Sequence, residues 1–167
     1  MCGLLGMLAA TGDVDKYVDA LERSLPCMRH RGPDAAGTWH DGDAAFGFNR
    51  LSIIDLEHSH QPLRWGPEDQ PDRYAMTFNG EIYNYVELRE ELKGLGYTFH
   101  TEGDGEPIVV GYHHWGKDVV NHLRGMFGIV IWDTHTKTMF AARDQFGIKP
   151  LYLSLIHISE PTRRTPI

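Results

Sequence analysis

The sequence predicts an α+β domain in which strands and helices form layers around one core. Clusters of apolar strand-like runs alternate with two or three segments whose apolar residues follow helical spacing. A length of 167 residues suffices for one domain with a sizeable core. Its 41% hydrophobic and 23% charged residues are typical of a globular protein.

The first third of the chain is predicted to run strand, helix, turn, strand. Residues 1–9 form an apolar, glycine-punctuated run that indicates a buried strand. Asp13 is expected to cap a helix that ends at Pro26. After a stiff polar turn at 29–34, strands are expected at 37–41 and 45–54.

The remaining elements follow a proline-rich, acidic loop at 65–73. A strand at 74–78 leads into a helix that begins at Asn84, with Glu87 as its capping-box partner. Asp104 is expected to cap a third helix. A hairpin of core strands is expected at 126–132 and 138–142, followed by a closing segment in which Arg143 and Asp144 are expected to form a buried ion pair.

Composition excludes several classes of function. The formal net charge is -7 and no basic run precedes the last few residues, which argues against nucleic-acid binding. The longest apolar run, 126–132, is far too short to cross a bilayer, so no membrane partner is expected. Two cysteines and the absence of a signal-peptide pattern favour a reducing, cytoplasmic location.

The C-terminal segment 154–167 differs from the rest of the chain because it has almost no helix or strand periodicity. It is similar to translated sequencing-adapter read-through, so we exclude it from the fold prediction and place the domain at 1–153. A genuine disordered terminus is the alternative that the sequence leaves open.

Cys2 is the most informative position in the sequence. Removal of Met1, favoured by a small second residue, would place a thiol and a free α-amine on one residue. An α-amine with a pKa of about 7.7–8.0 can accept the thiol proton near neutral pH. Cysteine is a strong nucleophile, so modest activation is enough for covalent catalysis. The alternative is a buried structural cysteine at the start of a strand.

Five motifs occur together and in order, and they carry a family resemblance. They are MCG at 1–3, RHRGPD at 29–34, RLSII at 50–54, NGEIYN at 79–84 and GDGE at 103–106. The set resembles the glutamine amidotransferase domain of glutamine-hydrolysing asparagine synthetases, a class II glutaminase with an N-terminal nucleophile. This resemblance implies a four-layer α-β-β-α sandwich with two mainly antiparallel sheets, here C-terminally incomplete.

The resemblance also implies the catalytic residues. Cys2 would attack the side-chain amide of L-glutamine and release ammonia and glutamate through a thioester. The Asn79 side-chain amide and the Gly80 backbone N–H would hold the oxyanion. The alternative for Asn79-Gly80 is a type I′ hairpin turn.

Residues for the two ends of the substrate follow from the same resemblance. Arg50 would bind the α-carboxylate and Asp104 the α-ammonium group, with Ile53, Ile54 and Glu81 lining the pocket. Read alone, Arg50 is equally a surface charge at a strand edge, and Asp104 a helix cap.

Partners and cofactors are expected from the same family. The glutaminase part needs L-glutamine and no cofactor, whereas ATP and Mg²⁺ would belong to a synthetase domain that this chain lacks. A homodimer of the complete enzyme is left open. The histidine groups at 58–60 and 113–114 lack the spacing of a metal site, so no metal is expected.

Three other functions remain open at this stage. One is another class II amidotransferase, because the chemistry at Cys2 is shared across that class. A second is a non-catalytic glutamine-binding fragment that retains Arg50 and Asp104. A third is an N-terminal-nucleophile peptidase, which shares the terminal nucleophile and has no need of the two charged residues.

Overall fold

The chain folds as four layers, helix–sheet–sheet–helix, in the computed structural model, which describes residues 2–9, 13–55 and 58–154. The strands are β1 (Gly3–Leu8), β2 (Ala35–His40), β3 (Ala44–Arg50), β4 (Leu63–Trp65), β5 (Tyr74–Ile82), β6 (Gly125–Asp133) and β7 (Thr138–Arg143). The helices are α1 (Asp15–Ser24), α2 (Tyr85–Gly94) and α3 (Glu106–Trp115), with 3-10 helices at Leu25–Arg31 and Gly116–Asn121. The predicted α+β class is confirmed.

Both sheets are antiparallel throughout. The first has the strand order β1-β3-β2, so that β3 is central and pairs with both neighbours. The second has the order β4-β5-β6-β7, in which β5 and β6 pair along nine residues each. The four-layer sandwich that the family resemblance implied is confirmed.

Three apolar clusters fill the three spaces between the layers. Ala45 of β3 packs with Val14 and Leu21 on the α1 side, whereas Phe46 faces the second sheet. Because neighbouring side chains point to opposite faces of a strand, β3 contributes to two cores and all seven of its residues are buried. The third cluster joins the second sheet to α2 and α3 and includes Met76, Phe78, Ile82, Leu88, Leu92, Ile108, Val109, Ile129 and Ile131.

Several strand boundaries differ from the sequence prediction. The strand expected at 45–54 ends at Arg50, where the chain leaves the sheet and forms a loop. The strand expected at 74–78 continues to Ile82 because β6 pairs with it to the end. β4, at Leu63–Trp65, was not predicted, since three residues are too few to show a period.

One predicted helix cap is wrong, and a second lacks its capping hydrogen bond. α1 begins at Asp15 with Val14 at the N-cap, while the side chain of Asp13 instead pairs with Lys16 at 2.9 Å. Asn84 does occupy the N-cap of α2, but it makes no capping hydrogen bond there. Its side chain donates to the carbonyl of His122 and accepts the N–H of Arg124, so tertiary contacts replace the capping box.

The predicted ion pair between Arg143 and Asp144 is also wrong. Asp144 is 4% exposed, and its carboxylate accepts backbone N–H groups from Phe127, Phe146, Ile148 and Lys149. Arg143 donates instead to the carbonyls of Gly147 and Lys149 at 2.5 and 2.7 Å. The two side chains therefore fold the segment after β7 independently, through its backbone.

The predicted tail at 154–167 lies outside the described residues, apart from Ser154. Across the three described ranges, each helix is too short or too polar to span a bilayer. The same ranges contain no group of three or more His, Cys, Asp or Glu side chains placed to bind a metal ion.

We expect Asp144→Asn to lower the free energy of unfolding at pH 7 by about 2 kcal/mol, because an amide accepts these N–H groups less strongly than a carboxylate. Burial by itself would raise the pKa of Asp144, but the four N–H donors outweigh it and hold the pKa below its ordinary value. The stabilisation by the carboxylate is therefore present above the unfolded-state pKa and is lost as pH falls through the lower folded-state pKa.

Urea unfolding followed by circular dichroism at neutral and acid pH measures this effect. The difference between wild type and Asp144→Asn should shrink in acid, whereas Asp19→Asn, at an exposed position of α1, should match wild type throughout. Equal urea midpoints for wild type and Asp144→Asn at pH 7 would refute the role given to this carboxylate.

Candidate active site

One cavity of about 130 Å³ opens where β5 and β6 meet the loop that follows β3. All eight residues that the sequence placed in a site line it. They are Cys2, Arg50, Ile53, Ile54, Asn79, Gly80, Glu81 and Asp104. The structure thus brings together side chains from widely separated parts of the chain, although their individual roles remain predictions.

Cys2 lies just before β1 and is half-buried. Its sulfur accepts the backbone N–H of Leu51 at 3.3 Å and lies 3.7 Å from the carbonyl oxygen of the same residue. The sulfur thus contacts both polar groups of Leu51, the first residue of the loop after β3. Cys2 therefore lines the cavity and is not a cysteine enclosed in the core.

Arg50 is the last residue of β3 and is 6% exposed, so it is not a surface charge. β3 is the central strand of its sheet, and the side chain extends from the end of that strand into the cavity wall. Its Nη2 atom donates to the carbonyls of Ile54 at 3.3 Å and Asp55 at 2.5 Å. The loop after β3 thus wraps around the guanidinium group.

The RHRGPD segment holds the end of β3 in place. The Asp34 backbone N–H donates to the Arg50 carbonyl at 3.0 Å, and the Asp34 carboxylate accepts the N–H of Ser52 at 2.8 Å. Gly32 packs directly on this strand, because a Cβ atom there would lie 2.3 Å from the carbonyl oxygen of Asn49. These contacts give the segment a structural role at the end of β3.

Asn79 and Gly80 lie inside β5, opposite Gly128 and Phe127, so the type I′ turn is wrong. Asn79 is 5% exposed, and within the described residues its side chain makes no hydrogen bond. Its amide lines the cavity and is available to a ligand. Gly80 fits only without a side chain, since a Cβ atom would lie 2.1 Å from the Met126 carbonyl oxygen.

The edge of β5 explains where the Gly80 N–H points. β4 pairs only with Tyr74–Met76, so the rest of this edge has no strand partner. The Phe78 N–H donates to the Gln61 side chain at 2.6 Å, and the Ile82 N–H donates to Asp104 at 3.0 Å. Alternate N–H groups of a strand share one side, so the Gly80 N–H lies between these two and faces the cavity.

Asp104 lies in the loop before α3, whose N-cap is Gly105, so the predicted cap is wrong. Its carboxylate accepts the Ile82 N–H instead and lines the cavity. Burial raises the pKa of Asp104, the hydrogen bond from Ile82 opposes that rise, and the neighbouring charge of Glu81 adds to it. A cation beside this carboxylate would relieve both unfavourable effects.

The other three predicted residues complete the wall. Ile53 is 69% exposed and Ile54 is partly buried, so the loop after β3 presents apolar surface at the rim. Glu81 follows Gly80 on β5 and adds a second carboxylate near Asp104.

Six lining residues were missed by the sequence analysis: Leu51, Ser59, Gln61, Phe78, Met126 and Lys149. The Gln61 side-chain amide takes the place of a neighbouring strand. It donates to the Phe78 carbonyl at 3.0 Å and accepts the Phe78 N–H at 2.6 Å. Lys149 is 3% exposed. It lies in the segment after β7, where its backbone N–H donates to the Asp144 carboxylate. Neither Gln61 nor Lys149 belongs to a periodic sequence pattern, so the sequence carried no signal by which to identify them.

The cavity can therefore hold a small molecule with charges of both signs and an amide or carbonyl group. Arg50 and Lys149 are basic, whereas Glu81 and Asp104 are acidic. Asn79 and Gly80 supply uncharged donors in the same cavity as Cys2. This set is suited to nucleophilic attack on a carbonyl carbon whose oxygen acquires negative charge.

Two antiparallel sheets face each other between helical layers, and a cysteine that precedes the first strand lines the cavity. A family model described as a glutamine amidotransferase domain matches residues 1–161. The chain therefore belongs to the glutamine amidotransferase family.

Two of the similar proteins carry the name asparagine synthetase. The chain is 56% identical over 165 residues to "Putative asparagine synthetase (glutamine-hydrolyzing)" of Mycobacterium tuberculosis, covering 92% of this chain and 25% of that protein. It is 44% identical over 162 residues to asparagine synthetase (glutamine-hydrolyzing) 1 of Bacillus subtilis, covering 94% and 24%. The chain thus spans about a quarter of the length of these relatives.

A solved structure supports the fold independently of close sequence similarity. Glutamine phosphoribosylpyrophosphate amidotransferase from B. subtilis superposes with a TM-score of 0.69 at 20% identity. The match covers 94% of this chain and 40% of that one. At this identity, the likeness speaks for the fold alone.

We expect Gly80→Ala to destabilise the fold by about 3 kcal/mol, because the added Cβ would overlap backbone atoms of β6 that have no room to move. Gly94→Ala is the matched control, since a Cβ there meets nothing within 4 Å and alanine favours a helix. Thermal unfolding of both variants measures the contrast, and equal melting temperatures would contradict the close packing described for β5.

Proposed function

We propose that this chain hydrolyses the side-chain amide of L-glutamine to glutamate and ammonia at Cys2. The observation that carries the proposal is the cavity, which unites a thiol, two uncharged hydrogen-bond donors and charged groups of both signs. Membership of the glutamine amidotransferase family supports the same substrate.

The first half of the reaction forms a thioester. Once Met1 is removed, the α-amine of Cys2 takes the thiol proton and the sulfur attacks the carboxamide carbon. The negative charge that develops on the oxygen is held by the Asn79 side-chain amide and the Gly80 N–H. When the tetrahedral intermediate collapses, the amine proton passes to the leaving nitrogen, and ammonia departs.

The second half restores the enzyme. Water, deprotonated by the same α-amine, attacks the thioester carbon, and the same two donors hold the oxyanion again. Cleavage of the carbon–sulfur bond releases glutamate and returns the proton to the sulfur. The Leu51 N–H, 3.3 Å from that sulfur, stabilises the departing thiolate.

Binding of the two ends of glutamine explains selection of the free amino acid. Arg50 pairs with the α-carboxylate, and Asp104 pairs with the α-ammonium group. Ile53, Ile54 and Glu81 line the remaining wall. A glutamine residue within a protein lacks both terminal charges, which disfavours the peptidase alternative.

For the complete protein, we propose a glutamine-hydrolysing asparagine synthetase, on the names of the two most similar relatives reported above. ATP and Mg²⁺ would belong to the synthetase region of that complete protein, as the family resemblance implies. The partner of this domain is then that region, which would receive the ammonia. A reducing cytoplasm suits a catalytic thiol, and Cys2 and Cys27 are both unbridged.

Cys2→Ala should abolish ammonia release, with glutamine binding retained, because it removes the nucleophile and leaves Arg50 and Asp104 in place. Coupled-enzyme ammonia detection measures turnover, and calorimetry measures binding. Cys2→Ser retains a much weaker nucleophile and should be severely slowed.

The mass of the intact protein must accompany this test, since retained Met1 would block the α-amine. A preparation that lacks Met1, binds glutamine and releases no ammonia would support the non-catalytic alternative. Turnover at the wild-type rate by Cys2→Ala would refute the proposal outright.

Arg50→Leu and Asp104→Asn should each weaken glutamine binding by about 100-fold, because each leaves one charged end of the substrate without its partner. The Cys2→Ala background allows the dissociation constant to be measured without turnover. Unchanged affinity in either double variant would contradict the assigned role.

The affinity should also depend on pH through Asp104. Because burial raises its pKa, Asp104 takes up a proton as pH falls while other carboxyls are still ionised, and a protonated carboxyl cannot pair with an ammonium group. The dissociation constant should therefore rise in mildly acid solution for Cys2→Ala. The additional change Asp104→Asn should flatten that dependence, and parallel profiles would exclude Asp104 as its source.

A further inference from the structure

Asp55 lies at the bend of the loop that joins β3 to β4, outside the lining of the cavity. Its side chain is 5% exposed, and its backbone has a φ of 47°, a left-handed conformation that aspartate and asparagine tolerate better than most residues. A buried carboxylate in such a loop must have hydrogen-bond donors, and their identity indicates what the residue does.

The backbone of Asp55 contacts the basic end of the cavity. Its carbonyl oxygen accepts the Nη2 of Arg50 at 2.5 Å, next to the weaker contact from the same atom to the Ile54 carbonyl at 3.3 Å. The position of the Arg50 guanidinium group therefore depends on where the Asp55 peptide lies.

The carboxylate of Asp55 reaches the loop that carries the acidic end. Oδ2 accepts the backbone N–H of Glu102 at 2.8 Å and the hydroxyl of Ser59 at 3.1 Å. Oδ1 accepts the N–H of His58 at 3.0 Å. Glu102 precedes Asp104 by two residues, so this bond joins the loop around Arg50 to the loop that bears Asp104.

The loop that contains Asp55 and the loop that contains Asp104 are closely packed. A Cβ atom on Gly103 would lie 2.0 Å from Ser59 Oγ. The far side of the Asp104 loop is fixed to the helices, because Arg89 of α2 donates to the Gly103 carbonyl and Glu106 of α3 accepts the Thr101 N–H. Asp55 completes this support on the side that faces Arg50.

We propose that Asp55 is a positioning residue for glutamine capture, which sets the spacing between Arg50 and Asp104 by binding one through its carbonyl and the loop of the other through its carboxylate. The inference rests on the proposed function and deepens it. Burial opposes ionisation of Asp55, yet the N–H and hydroxyl donors lower its pKa to about 2, so this connection stays charged at physiological pH.

Asp55→Asn and Asp55→Ala test the proposal through steady-state kinetics. Asp55→Asn should raise KM for glutamine about tenfold and change kcat less than about threefold, because the chemistry at Cys2 is untouched while the substrate ends are held less well. Asp55→Ala should raise KM further than Asp55→Asn. The asparagine side chain still has an oxygen that can accept the Glu102 N–H, whereas alanine has none. Wild-type KM in both variants would overturn the proposal.

A double-variant cycle separates positioning from general destabilisation. If Asp55 acts through Asp104, its substitution should change KM far less in an Asp104→Asn background than in wild type. Full additivity of the two effects would overturn the proposal. Should Asp55→Ala fail to fold, Asp55→Asn and Gly103→Ala, which displaces the Ser59 hydroxyl from the carboxylate, carry the same comparison.

Asp133→Asn is the matched control. Asp133 is also buried and also accepts two backbone N–H groups, from His135 and Thr136, but it lies at the opposite end of β6 from the cavity. It should lower stability and leave KM near the wild-type value. An equal rise in KM for Asp133→Asn would show that the effect of Asp55 is general destabilisation.

Amide hydrogen exchange without glutamine distinguishes failure of this inference from failure of the proposed function. Exchange at Glu102 and His58 should accelerate in Asp55→Asn and stay unchanged in Asp133→Asn. If the wild-type chain bound and hydrolysed no glutamine, the proposed function would fail and the positioning role would fall with it, even where exchange accelerates. If the wild type is active and neither KM nor exchange changes, the proposed function stands and the Asp55 inference is wrong.

Discussion

The uncovered edge of β5 is the constraint on which the candidate site depends. β4 stops after three residues, and the backbone N–H groups farther along β5 must then find other partners. Gln61 and Asp104 satisfy two of them with side chains, and the group between them faces the cavity. A longer β4 would pair with Gly80, so the shortness of this strand leaves the Gly80 N–H open to the cavity.

The layered core gives this edge its rigidity. β5 and β6 are packed on one face by α2 and α3 and on the other by the first sheet, so the backbone beside the cavity has little freedom to move. Polar side chains then fix the loops around it: Asp34 holds the end of β3, Asp55 holds the loop beyond, and Asp144 holds the segment that brings Lys149. Apolar packing fixes the sheets, and carboxylates that accept backbone N–H groups fix the loops.

Most of the elements and the candidate site residues could be predicted from the sequence. Element type follows from the spacing of apolar residues, and the site residues follow from the order of the motifs. The strand and helix types were correct, and all eight expected site residues line one cavity. Three of the failures share one cause, which is competition from distant partners: Asn84 bonds to the segment after α3, Asp104 to β5, and Asn79-Gly80 to β6. Local propensity favours a cap or a turn at these positions, and only the assembled sheets reveal the partner that wins.

The cavity draws on both extremes of the described chain, since Cys2 and Lys149 line the same wall. Protein synthesis proceeds from the first of these residues to the second, so a ribosome-bound nascent chain has the Cys2 thiol long before it has a finished cavity. The thiol thus leaves the ribosome before the cavity exists, and the cavity is complete only when the segment that carries Lys149 has left the exit tunnel. Timing of this kind is a built-in result of a topology that closes the beginning of a polypeptide against its later part.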